Sequence, residues 1–435
     1  MLEEKPLCDN CLGRQFAFLG YGMENRDRGR AIKILLTMKG HRLALLKKPE
    51  GVALLETLAE NGAFPMAADV LRKLKQTPKE KRKCFLCEDR FNVFPSLVEK
   101  TLDMLRGYEY DTFLVGIKIP TEIEEREDEF KAKFGVEHGE SMRNEFSRVI
   151  GKMLLEATGK KVDYMKPQIV ILLNPFTEEI ELQVNSLFIM GRYRKLIRGI
   201  PQSKWLCRRC RGRGCPSCDW TGKMYPESVE ELIAEPILEM TFGEDSSFHG
   251  AGREDIDARM LGSGRPFIIQ IKKPRRRKLN LSEIERVINK RAQGKIEVIG
   301  LKYVDREAVK KIKDMESSRK TYRVTVEFSR EVRDDELEKL EKVLTDVTVL
   351  QQTPTRVLHR RADLTREKHI YETKIKRISA KRIELIIKCQ GGLYVKELIT
   401  GDNGRTVPSV SEIIGVKAQP LELDVLEISE GMEED

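Results

Sequence analysis

Eight of the nine cysteines fall into four Cys-x-x-Cys pairs: Cys8/Cys11, Cys84/Cys87, Cys207/Cys210 and Cys215/Cys218. Any fold of this chain must bring such pairs together or bury eight thiols separately. Compartment decides how they are read. No apolar run reaches about 18 residues, and MLEEKPLCDN is not a secretory signal, so a cytoplasmic protein with no membrane span is expected. In that reducing setting, paired cysteines point to metal ligation rather than disulfides. Redox chemistry by thiolates beside arginines is the competing reading. No histidine lies near any pair, so four thiolates are the natural ligand set, with structural Zn²⁺ as the expected ion.

The second cluster carries the stronger signal. In CRRCRGRGCPSCDWTGK the two pairs are four residues apart, and Gly212, Gly214 and Gly222 permit tight turns that aim four thiolates at one ion. It resembles the zinc knuckle of DnaJ-type cysteine-rich repeats. Cys8/Cys11 and Cys84/Cys87 are separated by 72 residues, so each is half a site and spacing alone does not join them. Cys389, in IELIIKCQ, sits in a strand pattern and is expected to be a small buried residue. With four sulfurs each, both sites lack an open position for catalysis.

A chain of 435 residues has length for about three domains. The net charge is +9, and its distribution says more than its size. Nine basic residues and no acid lie between Arg192 and Arg213, and KKPRRRK puts six basic residues into positions 272–278. A third basic stretch runs from Thr355 to Arg382. Three such segments fit a polyanionic partner, although any one alone reads as a solvated face.

Hydrophobic periodicity divides the chain. RGRAIKILLTMKGHRLALL and VALLETLAENG read as helices, which together with the flanking cysteines give a helical zinc module over residues 1–90. Beyond it, FLVGIKIP and QIVILLNP read as strands. SMRNEFSRVIGKMLLEATG reads as a helix with Phe146, Val149, Ile150, Met153 and Leu154 on one face. EIELQVN alternates strictly. Further on, LSEIERVINKRAQG starts with Ser282 and Glu285 spaced as a capping box. KIEVIGLKYV, KTYRVTVEF, VTVLQQTP, RVLHRRAD and RIELIIKCQG read as strands, with helices at DREAVKKIKDM and DDELEKLEKVL. The acidic end, EISEGMEED, is expected to fray.

The strand EIELQVN leads into SLFIMGRYRKLIRGIPQSKW. The pattern ending in G-R-Y-x-K-x-x-R-x-x-x-Q-S, over residues 165–204, resembles the C-terminal half of a THUMP domain, an RNA-binding module of tRNA-modifying enzymes. The resemblance implies an RNA-facing role for Arg192, Arg194, Lys195 and Arg198, and a module over residues 91–205. A basic strand edge is the plainer reading.

GREDIDARMLGSG, residues 252–264, crowds Arg253, Glu254, Asp255, Asp257 and Arg259 between glycines. Locally, this is as well explained by a surface ion-pair knot. The longer run GREDIDARMLGSGRPF resembles the catalytic-aspartate loop of pseudouridine synthases, with Gly-Arg-x-Asp placing the catalytic carboxylate at Asp255 and leaving Asp257 as its rival. KTYRVTVEF then supplies a candidate active-site tyrosine, Tyr322. GGLYVKEL resembles the Gly-Thr-Tyr-Ile-Arg-x-Leu motif of bacterial T-arm synthases, giving Tyr394, Lys396 and Leu398, with Leu393 in place of Thr and Lys396 in place of Arg. TPTRVLHRRADLTREK, with Arg356, His359, Arg360 and Arg361, is expected to be an RNA contact or a sheet edge. Taken with the cysteines, the chain resembles the archaeal tRNA pseudouridine synthases that act on uridines 54 and 55 of the T-arm.

That resemblance implies an isomerisation. The N1–C1′ bond of uridine breaks, the base turns, and a C5–C1′ bond forms, without redox cofactor or phosphate donor. One ionised carboxylate must reach the ribose, either attacking it or abstracting the 2′-proton. A nearby cation must keep it charged, and Arg253 and Lys396 are the candidates, with an arginine elsewhere also open. Tyr322 is expected to orient the base and take the C5 proton. The uridine has to leave its stack, which favours a Gly-rich loop and basic walls.

The expected architecture is α+β: a helical zinc module (1–90), a THUMP-like RNA-binding domain (91–205), a zinc knuckle (206–225) and a mixed-sheet pseudouridine synthase domain (226–435). tRNA is the implied partner, no obligate protein partner is evident, and a monomer is expected. Two other readings compete: a non-catalytic zinc-containing tRNA-binding protein, and another THUMP-type tRNA-modification enzyme. A methyltransferase would need a Gly-rich strand-to-helix turn and a thiouridine synthase a Ser-Gly-Gly loop; neither is found.

Overall fold

The computed structural model describes residues 1–429; residues 430–435, which hold most of the acidic tail, lie outside it. Two compact units result, Met1–Asn185 and Ser186 onward. None of the described helices is long and apolar enough to cross a membrane.

The first unit combines helices with a four-stranded sheet. Its strands are β1 (Thr112–Ile117), β2 (Lys161–Val162), β3 (Ile169–Asn174) and β4 (Glu179–Val184), in the order β2-β1-β3-β4. β1 runs parallel to β2 and β3, and only β4 is antiparallel. The helix Met142–Thr158 forms as its periodicity requires. Ser141 caps it by accepting from the Asn144 N–H at 3.2 Å, and Phe146, Ile150 and Leu154 are buried. The helices Asn25–Leu45 and Pro49–Glu60 also appear where expected. One hydrophobic core runs from Leu2 through Leu173, so residues 1–90 and the segment after them share a core. A boundary at 90 therefore does not separate two packed bodies.

The second unit is built on a ten-stranded sheet. Its strands are β5 (Leu187–Lys195), β6 (Asp245–Gly250), β7 (Arg259–Lys272), β8 (Ile296–Val304), β9 (Lys320–Phe328), β10 (Val347–Gln352), β11 (Thr365–Ser379), β12 (Arg382–Cys389), β13 (Thr406–Val407) and β14 (Ala418–Ile428). Their order is β13-β10-β11-β12-β9-β14-β7-β5-β8, with β6 on β7. Helices Val229–Thr241 and Leu281–Ala292 cover one half through Ile233, Ile237, Ile284 and Ile288. Helices Asp334–Leu344 and Val395–Thr400 cover the other through Leu340 and Leu398.

Three expectations are corrected. The strand carrying Arg192, Arg194 and Lys195 pairs with β7 and β8, so it belongs to the large sheet and not to the RNA-binding module. Residues of RVLHRRAD form a short 3₁₀ turn, Thr355–Arg360, entered directly from Pro354, and not a strand. The helix in LSEIERVINKRAQG is capped by Asn280, which accepts from the Glu283 N–H at 3.2 Å, whereas Glu285 turns away to the Leu301 N–H at 3.3 Å.

Candidate active site

The loop between β6 and β7 carries Arg253, Glu254, Asp255 and Asp257. It enters the centre of the large sheet, where β7 and β14 run parallel with Asp424 opposite Arg259. Gly262 and Gly264, two of the glycines that flank the charged run, lie inside β7. Gly262 has φ +56, and a Cβ there would sit 1.8 Å from the Leu426 carbonyl. Close approach of neighbouring strands requires glycine at that position.

The three carboxylates of the loop have three different environments. Glu254 is buried and sits 2.9 Å from the Tyr193 hydroxyl and 2.8 Å from Arg265 Nε. It is a structural anion. Asp257 is exposed, and Lys396 Nζ lies 2.8 and 2.7 Å from its two oxygens. Burial acts to raise the Asp257 carboxyl, but the Lys396 ammonium outweighs it and the net shift is downward. Asp255 is partly buried, with its Oδ2 3.2 Å from Lys396 Nζ and 3.5 Å from Arg356 Nη2.

Of the two cations expected beside Asp255, the structure brings up Lys396 and leaves Arg253 exposed, with no ion pair among the described residues. Arg356 supplies the second. It is the arginine that sequence reading assigned to RNA or a sheet edge, and its partners in space come from segments about 40 and 100 residues away in sequence.

One cavity of about 440 Å³ is lined by Arg253, Asp255, Tyr322, Arg356, Tyr394 and Lys396, among others. Tyr322 projects from β9 and touches the hydrophobic clusters of both half-sheets. Burial raises its phenol well above the usual range. Tyr394 precedes the helix Val395–Thr400. Its N–H donates to Gln351 Oε1 at 2.8 Å and its carbonyl accepts from Gln351 Nε2 at 3.0 Å, while its hydroxyl accepts from Arg361 at 2.8 Å.

The four basic residues expected to face RNA all have partners within the chain. Arg192 Nε donates to the Ser263 carbonyl at 2.8 Å, and Arg194 Nε to that of Gly262 at 2.6 Å. Arg198 pairs with Asp424 at 2.7 Å. Lys195 is fully buried, with its ammonium on backbone carbonyls. Sequence reading also missed Asp424, where Arg198, Arg259 and Arg323 converge.

Both cysteine groups close in space. Cys8, Cys11, Cys84 and Cys87 form one set, and Cys207, Cys210, Cys215 and Cys218 the other, each with all sulfurs within 4.8 Å. A tetrahedral Zn–S site has S···S edges of about 3.8 Å, from bonds of about 2.3 Å. Distances of 3.6 Å for Cys8–Cys87, and 3.9, 3.8 and 3.7 Å in the second group, fit that geometry. Both groups can hold a metal.

A carboxylate between two cations, in a cavity that two tyrosines also line and on a large mixed sheet, fits an RNA-base isomerase of the pseudouridine synthase class. Residues 188–429 match the family model described as Pus10, C-terminal, and residues 97–174 match Pus10 THUMP domain, archaeal. The chain belongs to the Pus10 family. Curated relatives named tRNA pseudouridine synthase Pus10 include one from Methanocaldococcus jannaschii, 47% identical over 98% of this chain and 93% of its own length. Others are from Thermofilum pendens, 41% identical over 99% and 94%, and from Pyrococcus furiosus, 40% identical over 100% and 98%. The THUMP match ends before β5, in keeping with the place of that strand in the large sheet.

Proposed function

We propose that Asp255 is the catalytic carboxylate of this tRNA pseudouridine synthase, an isomerase, and that its substrate is uridine 54, uridine 55 or both in the T-arm. The observation that carries the reading is the pairing of Asp255 with Lys396 and Arg356 inside the cavity that Tyr322 and Tyr394 also line. Lys396 and Arg356 orient the carboxylate through charge-assisted contacts. An ionised Asp255 can then act at the ribose, by attack on C1′ or by taking the 2′-proton, as the N1–C1′ bond breaks. After the base turns, C5 bonds to C1′, the C5 proton leaves and N1 gains one.

Tyr322 stacks on the extruded base and orients it. Proton removal from C5 is better given to Asp255, because a phenol held well above its usual pKa is neutral and a poor base at neutral pH. Asp257 is bonded through both oxygens to Lys396 and serves to hold that lysine in place. Arg253, exposed and lining the cavity, is assigned to the tRNA backbone.

The metal in both four-cysteine groups is proposed to be structural Zn²⁺. When bound, it contributes folding energy and no step of the isomerisation. A monomer acting on tRNA in the cytoplasm completes the reading. The test uses unmodified tRNA transcript and purified protein with no cosubstrate, followed by pseudouridine mapping at 54 and 55 for wild type, Asp255→Asn and Asp257→Asn. Loss of product in the first variant alone is expected; product from Asp255→Asn rejects the assignment.

A further inference from the structure

We propose that the segment Tyr193–Gln202 is a clamp that fixes the catalytic loop, with Lys195 as its central positioning residue. The inference rests on Asp255 being the reacting carboxylate.

The Lys195 ammonium donates to three carbonyls: Ile200 at 3.0 Å, Asp255 at 3.1 Å and Ile256 at 3.1 Å. An ammonium has three N–H groups, so every donor is used. Two of them grip consecutive peptides at the reacting residue itself. The rest of the segment adds further holds. The Gly199 N–H donates to the Ile256 carbonyl at 2.9 Å, Arg198 Nη1 to that of Asp257 at 2.8 Å, and Gln202 Nε2 to that of Gly252 at 3.0 Å. The Tyr193 hydroxyl donates to the Glu254 carboxylate at 2.9 Å. Gly252, Glu254, Asp255, Ile256 and Asp257 are thus all held by one stretch of ten residues.

Electrostatics explain why a lysine is tolerated at a fully buried position. Burial lowers its pKa, and the Glu254 carboxylate, 4.0 Å away, opposes that without reversing it. Glu254 also meets the buried Arg265 at 2.8 Å. A methionine of similar length would pack in the same space but take away all three of these hydrogen bonds, leaving the Asp255 carbonyl to the Ala258 N–H and the Ile256 carbonyl to the Gly199 N–H alone.

Misplacing a reacting group by about 1 Å costs on the order of 100-fold in rate. In Lys195→Met, the single-turnover rate of pseudouridine formation is expected to fall about 30- to 100-fold, with tRNA affinity and its salt dependence within about twofold of wild type. A phosphate contact gives the reverse: weaker binding, a salt slope reduced by about one, and an unchanged rate at saturating tRNA. That result overturns the proposal.

Asp255→Asn, measured alongside, separates the two claims. Activity in Asp255→Asn removes the catalytic assignment and the clamp's purpose with it. An inactive Asp255→Asn beside a wild-type-like Lys195→Met overturns the clamp alone. Should Lys195→Met fail to fold, Gln202→Met cuts only the holds on Gly252 and Tyr193. It is expected to lose about tenfold in rate, with faster hydrogen exchange at the loop amides and unchanged tRNA affinity. A wild-type rate and wild-type exchange in Gln202→Met overturn the clamp.

Discussion

Arg356 Nε lies 2.6 Å from Glu397 Oε1, so one of the cations facing Asp255 is itself tied to the helix that carries the other, Lys396. Glu397 is buried and Arg356 is not, which makes the glutamate the fixed partner. Its carboxylate holds the guanidinium flat enough for Nη2 to reach Asp255 at 3.5 Å. Glu397→Gln keeps the volume and removes the charge. The expected outcome is a single-turnover rate reduced about tenfold with tRNA affinity held, because a mispointed Arg356 weakens an interaction at the reacting group and not at the RNA backbone. A rate equal to wild type means that Arg356 holds its orientation without Glu397.

Asp424 makes the pH dependence of stability testable. Burial acts to raise its carboxyl, but Arg259 and Arg323, with Arg198 behind them, hold it down at about 2. The folded pKa is below the unfolded value of about 3.9, so the stabilisation is fully present above about pH 4 and is lost as pH falls toward 2. The shift corresponds to roughly 2 kcal/mol for this almost fully buried side chain. Asp424→Asn is therefore expected to lower the urea midpoint at pH 7 by the equivalent of roughly 2 kcal/mol or more, since three guanidiniums lose their shared anion. The gap between variant and wild type should close as the titration is taken from pH 4 to pH 2. A gap that stays constant through that range assigns the effect to packing.

Local pattern made most elements legible. Strict alternation in EIELQVN placed Ile180, Leu182 and Val184 on the more buried face of β4, and the Phe146/Ile150/Leu154 stripe named a helix that packs as read. What local pattern does not encode is sheet membership. β5 follows β4 after only two residues, yet its hydrogen-bond partners are β7 and β8, more than 60 residues further along, so assigning it to the RNA-binding module was an error of topology. The site shows the same divide. The Asp255 loop, Tyr322, Tyr394 and Lys396 could be named because each lies in its own short motif. Arg356 and Asp424 were missed because their roles come only from the partners that the central β9–β14–β7 seam brings together. Lys195 was assigned to RNA by the THUMP resemblance, which carries no information on burial; its ammonium is held by carbonyls of the loop that folds over it.

Arg253 provides a contrast with the clamp. It is exposed and forms no ion pair among the described residues, yet it lines the cavity that holds Asp255. A side chain so placed is free to neutralise a phosphate without cost to the fold. Arg253→Met is expected to weaken tRNA binding several-fold, to lower the slope of log K against log salt by about one, and to leave the saturated rate near wild type. A fall in the saturated rate with unchanged binding would move Arg253 into the chemistry beside Asp255.

The two cysteine groups predict unequal responses to metal loss. In the first unit, Cys11, Cys84 and Cys87 are buried in the main core beside Leu12 and Leu86, and the ion would join segments 72 residues apart in sequence. The other group forms a small cluster of its own, Cys207, Cys210 and Cys218 with Cys215 packed against them. Closing a long loop inside a core restrains the unfolded chain more than closing a short one does, and metal binding that completes a core is folding energy. Elemental analysis is expected to find two zinc ions per chain. Cys84→Ser should lower Tm by roughly 10 °C, and Cys218→Ser by only a few degrees, with the large-sheet transition preserved. Zinc absent from freshly purified protein, or Tm unchanged by a strong chelator, would leave both groups as sets of thiols held together by packing alone.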